Sequence, residues 1–304
     1  MATYSPSAPT IEGTEYTCDY LMNNPVLVNR VVRSITELRM IGGIILKGRV
    51  DMTGSGVAIV EDEQPIMVDD SPEPVGELSE VKLIDDNEGT ASVVKAASNA
   101  FGTRISDEAI SRNRFDVVTK KLTKMANRAI VDFDGMVMSA VGSAVTKTSQ
   151  AAQPWNVAGA DQFLDLLLAS AVIDELDQGY APNVVIARPT KWARLVSSLA
   201  HAFPQIATPE LITKGNIVEV AGLTLLKTNR LPSETEVMAL DNNVFGAVGF
   251  ERVPGDYIGD PGDVLGVETY QFRPQGIQGW QVQMRKNGVP MIQEPSAAIK
   301  VVGV

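Results

Sequence analysis

The strongest pattern in the chain runs from Ser106 to Ser143. Apolar residues recur there at helical spacing, at Val118, Leu122, Met125, Ala126, Ala129, Ile130, Phe133, Val137, Ala140 and Val141, with no proline among them. Ser106 is placed to cap the first turn. Asp107 and Glu108 put negative charge at the positive end of the helix dipole, and Ile105 with Ile110 fits a hydrophobic staple. Gly135 is the one weak interior position, and Gly142 with Ser143 supplies a stop. The pattern predicts one helix from Asp107 to Val141, about 50 Å long and roughly three times the usual helix length. Such a helix acts as a strut, and the other segments must be arranged along it.

Charge is placed as unevenly as hydropathy. The chain has 304 residues and a net charge of -11. Residues 51–90 hold twelve acids and one base, Lys82, whereas the remainder holds 25 acids and 25 bases. One segment therefore carries the whole imbalance, and the acidic balance argues against nucleic acid as the main partner. No apolar run approaches the ~18 residues of a membrane span, and residues 1–9 lack the basic and apolar parts of a signal peptide. Cys18 and His201 are the sole cysteine and histidine, so neither an intrachain disulfide nor a Cys/His zinc site is expected. A Cys–His nucleophile pair is formally open. The surroundings of His201, Leu199 to Pro204, read as the end of a helix, where a structural histidine is the simpler account.

Taken in order, residues 1–22 read as a polar extended arm. Asn24-Pro25 opens a short amphipathic helix through Val28, Val31, Val32, Ile35 and Leu38, ending near Gly42-Gly43. Short β-rich runs follow at Val57–Val60, Ile66–Val68, Val81–Ile84 and Ser92–Ala97, punctuated by glycine and proline. They predict a long protruding hairpin. A hairpin by itself is marginal in water, so it must lie on something, most simply a neighbouring subunit. Beyond the strut, Asp161 caps a helix whose apolar face is Phe163, Leu164, Leu167, Leu168, Ala171, Val172 and Leu176. Asn183–Ala187 is a buried-type strand, Pro189 opens another helix, and strands follow at Ile217–Val220, Leu223–Lys227, Val237–Leu240 and Val244–Phe250. This is the alternation of a compact α/β domain. The tail predicts strands at Val264–Phe272, Ile277–Arg285 and Ala297–Val302, with a tight turn at Asn287-Gly288.

No catalytic, cofactor or metal site stands out. Asp85-Asp86-Asn87-Glu88-Gly89 lacks the ligand spacing of an EF-hand. Glu61 and Glu63 can be posed as an acid/base pair, but a segment with twelve carboxylates always offers such pairs. Gly259 to Asp263 is not a phosphate loop, and Gly54-Ser55-Gly56 is not a nucleophile elbow. The basic residues Arg104, Arg112, Arg114, Lys120, Lys121, Lys124 and Arg128 are more telling. Lys120, Lys124 and Arg128 are four apart and share one face. That face is either solvated or receives the acidic hairpin of another copy.

The order of these parts resembles the tailed-bacteriophage major capsid proteins of the Hong Kong 97 type. Ser92 to Ala97 followed by Ile105 to Ile110 resembles the family's approach to its spine helix. Pro182 to Pro189 with Trp192, Leu231-Pro232 and Phe245 to Val248 resemble its axial domain, and Gln281 to Arg285 with Asn287-Gly288, Glu294-Pro295 and Ala298 its closing strand. The resemblance implies an α+β capsid fold. Its parts would be an N-terminal arm and short helix (1–43), an extended acidic loop (44–102), a spine helix of a peripheral domain (103–155), an axial domain (156–260) and closing strands (261–304). It implies pentamers and hexamers of an icosahedral shell around double-stranded DNA contacted non-specifically, assembled in a bacterial host's cytoplasm. Portal, scaffolding or decoration proteins are the further partners it suggests, with no membrane. The sequence begins with the arm and shows no long helical scaffolding segment, which leaves three alternatives: a separate scaffold, none, or a segment removed before this sequence begins. The intersubunit contacts expected are Glu61, Asp62, Glu63, Asp69, Asp70, Glu73, Glu77 and Glu80 against Arg104, Arg112, Arg114, Lys120, Lys124 and Arg128. Two other classes compete: an encapsulin-type nanocompartment shell and a carboxylate-site hydrolase.

Residues 61–81 contain no lysine and Cys18 stands alone, so shells of this chain are expected to lack covalent crosslinks. Boiling them in detergent without reductant should release single chains on a gel, and a ladder of oligomers would refute this.

Overall fold

The computed structural model describes residues 18–37, 40–52, 57–61, 74–75, 91–112, 115–157, 159–202, 218–263 and 266–304. The chain divides into two units, each assembled from separated segments. The first comprises residues 1–57, 95–137 and 248–290, and the second 58–94, 138–247 and 291–304.

The first unit is built on a strand of 14 residues, β12 (Gly279–Ile292). It lies in a five-stranded sheet with β1 (Gly48–Asp51), β4 (Ala97–Ser106), β10 (Gly246–Phe250) and β11 (Glu268–Phe272), in the order β1-β10-β12-β11, with β4 also on β12. Antiparallel pairing sets Glu268 opposite Arg285, and Ser106 opposite Gly279. The predicted turn at Asn287-Gly288 does not form, because β12 runs straight through it. Asn287 is 2% exposed and its amide donates to Glu268 Oε2 at 3.4 Å. A Cβ on Gly288 would stand 3.2 Å from the Gly249 carbonyl oxygen. The pair serves a buried polar contact and a close backbone approach, two uses that local turn propensity does not anticipate.

The predicted strut is two helices. A short α4 (Asp107–Ser111) ends at Arg112, whose φ of -82° and ψ of 7° leave the helical region, and α5 (Phe115–Ala144) then runs for 30 residues. Ser106 has the extended backbone of a cap but makes no capping bond through its side chain. Between Ile110 and Phe115 the sequence is Ser-Arg-Asn-Arg. None of these four residues is apolar, and helices in proteins are held chiefly by their packed face. From Val118 onward the predicted stripe is the buried one, Ala140 alone being half-buried: Val118, Leu122, Met125, Ala126, Ala129, Ile130, Phe133, Val137 and Val141 are all at most 6% exposed.

Two other expectations change near the N-terminus. Cys18–Asn23 is a helix, α1, not extended arm, and Cys18, Leu21 and Met22 are buried. The helix begun at Pro25, α2 (Pro25–Glu37), precedes the Gly42-Gly43 pair, which opens a further turn, α3 (Gly42–Ile45). Asn29 of α2 donates to Ile258 O at 2.7 Å and to Thr269 Oγ1 at 3.1 Å, fixing this helix against β11. The distal hairpin lies outside the described residues, save Pro74, Val75 and a two-stranded pairing of β2 (Val57–Glu61) with β3 (Ala91–Lys95).

The second unit is a six-stranded mixed sheet, ordered β5-β13-β9-β6-β8-β7. Its strands are β5 (Thr148–Gln150), β6 (Val184–Ala187), β7 (Val218–Val220), β8 (Leu223–Lys227), β9 (Val237–Leu240) and β13 (Ala298–Val302). Every residue of β6 and β9 is buried, as their continuous apolar runs require. Two helices, α6 (Gln162–Asp174) and α7 (Pro189–Ala202), accompany the sheet. Asp161 caps α6 as expected, accepting from Leu164 N at 3.1 Å. The face of α6 that packs inward, however, is Gln162, Asp165, Leu166, Ala169 and Ile173, and not the predicted Leu164, Leu167, Leu168 and Val172. Asp165 explains the rotation. Its carboxylate accepts from the buried Trp155 Nε1 at 2.9 Å and from Ala152 N at 3.1 Å. Replacing it with alanine would strand both donors, at roughly 1–3 kcal/mol for a buried unsatisfied group. Asp165→Ala should lower the urea midpoint by the corresponding amount, with Trp155 fluorescence as the probe.

Candidate assembly surface

The outward side of α5 carries charge at four-residue intervals. Asp116, Lys120, Lys124 and Arg128 are exposed, and Asp132 is half-buried. Four-residue spacing stacks side chains along one ridge of a helix, so Lys120, Lys124 and Arg128 are brought together as the sequence predicts. Arg128 is engaged within the chain: its Nε and Nη2 each lie 3.0 Å from an oxygen of Asp132. Lys121 leaves the ridge, donating to the Arg104 carbonyl and tying α5 to β4. Arg104 is itself exposed on β4. Arg112 is exposed and 3.6 Å from Glu108. Arg114 lies outside the described residues, as do Asp62, Glu63, Asp69, Asp70, Glu73, Glu77 and Glu80. Glu61 ends β2.

Beside this ridge runs a groove that sequence reasoning did not find. Ser98, Asn99, Ala100 and Phe101 of β4 form one wall, and Arg128, Asp132 and Met136 of α5 the other, enclosing about 470 Å³. Its width depends on how far β4 stands from α5, which no local pattern reports. A cavity of about 20 Å³ adjoins it, lined by Phe133, Met284, Arg285 and Lys286 among others.

Two charged residues of β12 line that cavity, Arg285 buried and Lys286 half-buried. The Arg285 guanidinium donates to both Glu268 oxygens, at 2.8 and 3.1 Å, and to Val253 O at 2.6 Å, and sits 4.0 Å from the centre of the Tyr257 ring. Lys286 Nζ lies 3.9 Å from the centre of the Phe133 ring. Burial pulls its ammonium down to about 7. The Arg49 charge adds to the shift, and Asp134 and Asp263 oppose it. The alternation of β12 places Arg285 and Lys286 on opposite faces, which was the one available signal that both could not be solvated. Among the described residues no cluster of His, Cys, Asp and Glu could hold a metal ion, and no helix is long and apolar enough to cross a membrane.

The depressed Lys286 gives stability a definite pH dependence. Below about pH 7 the amine is protonated in folded and unfolded chains alike, and the fold bears the cost of burying that charge. Between pH 7 and the ordinary lysine value of ~10.4 the folded chain has released a proton that the unfolded chain retains, so this group makes stability rise with pH. Lys286→Met should therefore gain most in Tm relative to the parent near pH 6, with the difference shrinking toward pH 10. A difference independent of pH in paired calorimetric scans would exclude the buried amine.

The sequence profile of a family described as phage capsid protein matches residues 89–301. No curated protein matches by sequence. Among solved structures, the capsid of the cyanophage P-SCSP1u superposes with a TM-score of 0.55 at 15% identity, covering 84% of this chain and 85% of the other. A virus-like particle from Pyrococcus furiosus gives 0.55 at 11% identity, covering 90% and 96%. The SrpI encapsulin of Synechococcus elongatus gives 0.56 at 12% identity, covering 100% and 96%. At such identities these likenesses establish the fold, which phage capsids and encapsulins share.

Proposed function

The chain belongs to the phage capsid protein family: it is a major capsid protein, and we propose that its copies close into pentamers and hexamers of an icosahedral shell around double-stranded DNA. The family match, spanning most of the chain from residue 89, carries this reading. It favours the phage shell over the encapsulin-type compartment, whose likeness is one of fold. The same membership supports a structural role in the virion and self-association, and the proposal gives the chain no catalytic role. Portal, scaffolding and decoration proteins, assembly in the host cytoplasm and the division into arm, acidic loop, peripheral and axial domains are further parts of the proposal.

The contact we propose between copies is electrostatic. Residues 61–80 hold eight acids and no base, and residues 104–128 seven bases against three acids. The acidic segment of one copy would lie over the ridge of Lys120, Lys124 and Arg128 on the next, with Arg104 and Arg112 beside it and Arg114 in the same stretch. The groove along β4 supports this reading, since it gives an extended segment a channel directly beside the ridge. Arg128 must share or exchange Asp132, a small cost, because an exposed i,i+4 pair contributes only ~0.3–0.5 kcal/mol. Each new pair is similarly weak, so the pattern would choose register and partner more than it adds affinity.

Reversing Lys120, Lys124 and Arg128 to Glu should leave a folded subunit that forms no shells by negative-stain microscopy. Lysines placed in 61–80 should partly restore assembly. Raised salt should slow assembly of the parent chain, because exposed pairs are screened over ~8 Å at physiological ionic strength. Normal assembly of the reversed chain would reduce the ridge to a solvated helix face.

A further inference from the structure

Lys286 lies against the stretch of chain that fastens α2. On the side of β12 that faces α5, its Nζ stands over the Phe133 ring. The charges of Asp134 from α5, Arg49 from β1 and Asp263 from the turn at 260–263 all act on it. A Cβ on Gly266 would come within 3.0 Å of the amine, so the chain passes directly against it. Arg285, the residue before it in β12, is on the other face and paired with Glu268. The same stretch of chain holds α2. Arg33 of α2 pairs with Asp263, and Asn29 donates to Ile258 O at 2.7 Å, Thr269 Oγ1 at 3.1 Å and Val267 O at 3.5 Å. Asp263 therefore serves three cations, Arg33, Arg49 and Lys286. The other carboxylate near the amine, Asp134, accepts from the Ile41 and Gly42 N–H groups.

We propose that Lys286 and the turn at 260–263 form a proton-operated latch on α2, in which protonation of the amine loosens the Arg33–Asp263 pair and frees α2 from the sheet. A neutral amine leaves Asp263 to the two guanidinium groups. An ammonium adds a third positive charge that repels Arg49, and it must either draw Asp263 toward itself or be reached by water. The first course takes the carboxylate from Arg33. The second lifts the turn, and the carbonyls that hold Asn29 move with it. Both weaken the anchor of α2 while leaving the sheet and α5 in place. Linkage sets the range. The amine takes its proton at about 7 in the closed arrangement and at ~10.4 once hydrated. Opening therefore rises roughly tenfold between pH 8 and pH 6 and levels off below that. Histidine is the usual group for such a response, but the single histidine, His201, belongs to the second unit.

Hydrogen exchange of the unassembled full chain tests this, with each rate divided by the intrinsic rate of its amide at the same pH. The α2 amides should open about tenfold more at pH 6 than at pH 8, while those of β9 in the second unit keep their protection. That contrast separates a local release from a general loss of stability. In Lys286→Met, or in Lys286→Gln should the first not fold, α2 should be equally protected at both pH values. If neither variant folds, the profile of the parent decides. Equal α2 protection at the two pH values in the parent, an equal rise in β9, or a pH dependence that survives in a folded Lys286 variant overturns the latch.

Discussion

A carboxylate buried completely in the middle of α5 holds the first unit together. Asp134 has no exposed surface, and its Oδ1 accepts from Gly42 N at 2.8 Å and Ile41 N at 3.2 Å. It thereby supplies, from 92 residues away, the cap that α3 lacks from its own Ile41. Gly42 makes the approach possible: a Cβ there would stand 3.0 Å from Phe133 and Val137 and 3.1 Å from the carboxylate. At the other end of α3, Arg49 donates to Gly43 O within the helix at 3.4 Å, and to Leu46 O at 2.6 Å and Gly48 O at 2.7 Å just beyond it. A charge at this depth is tolerable only because backbone donors surround it. Asp134 thereby ties α3 to α5, and its charge also acts on the Lys286 ammonium.

What could be read from the sequence follows from which forces act locally. The stripe from Val118 to Val141 was legible because one face of α5 is buried along its whole length, so period and burial coincide. The interruption at Arg112 was not, since Ser106, Asp107 and Glu108 are good helix-start residues wherever the helix later ends. Asn287-Gly288 shows the same limit in a strand: the residues that favour a turn also suit a buried amide and a close backbone pass. Of the surface residues, the Lys120, Lys124 and Arg128 ridge was visible through spacing alone. The groove beside it, the Arg285–Glu268 pair and the depressed Lys286 depend on strands brought together from distant parts of the chain.

The helix α6 is the instructive case. Hydropathy identified its apolar residues correctly and assigned them to the wrong side, because both sides are apolar and a single buried acid settles the choice. Asp165 would ordinarily be placed facing water, yet it is 4% exposed and bonded to Trp155. Sequence patterns report which residues avoid water in the final assembly. They do not report whether the covering surface belongs to the same molecule.

The placement of β12 and β13 also bears on how the chain is made. Ala97 to Ser106 pairs with residues roughly 180 positions later, and the sheet of the second unit receives β13, from the last residues of the chain, between β5 and β9. Neither sheet can close until β12 and β13 have been synthesised. At ~5–20 residues per second the apolar stripe of α5 waits about 10–40 s for its strand partner. A chain cut off before residue 279 lacks a strand from each sheet, so topology alone keeps it from presenting either sheet complete.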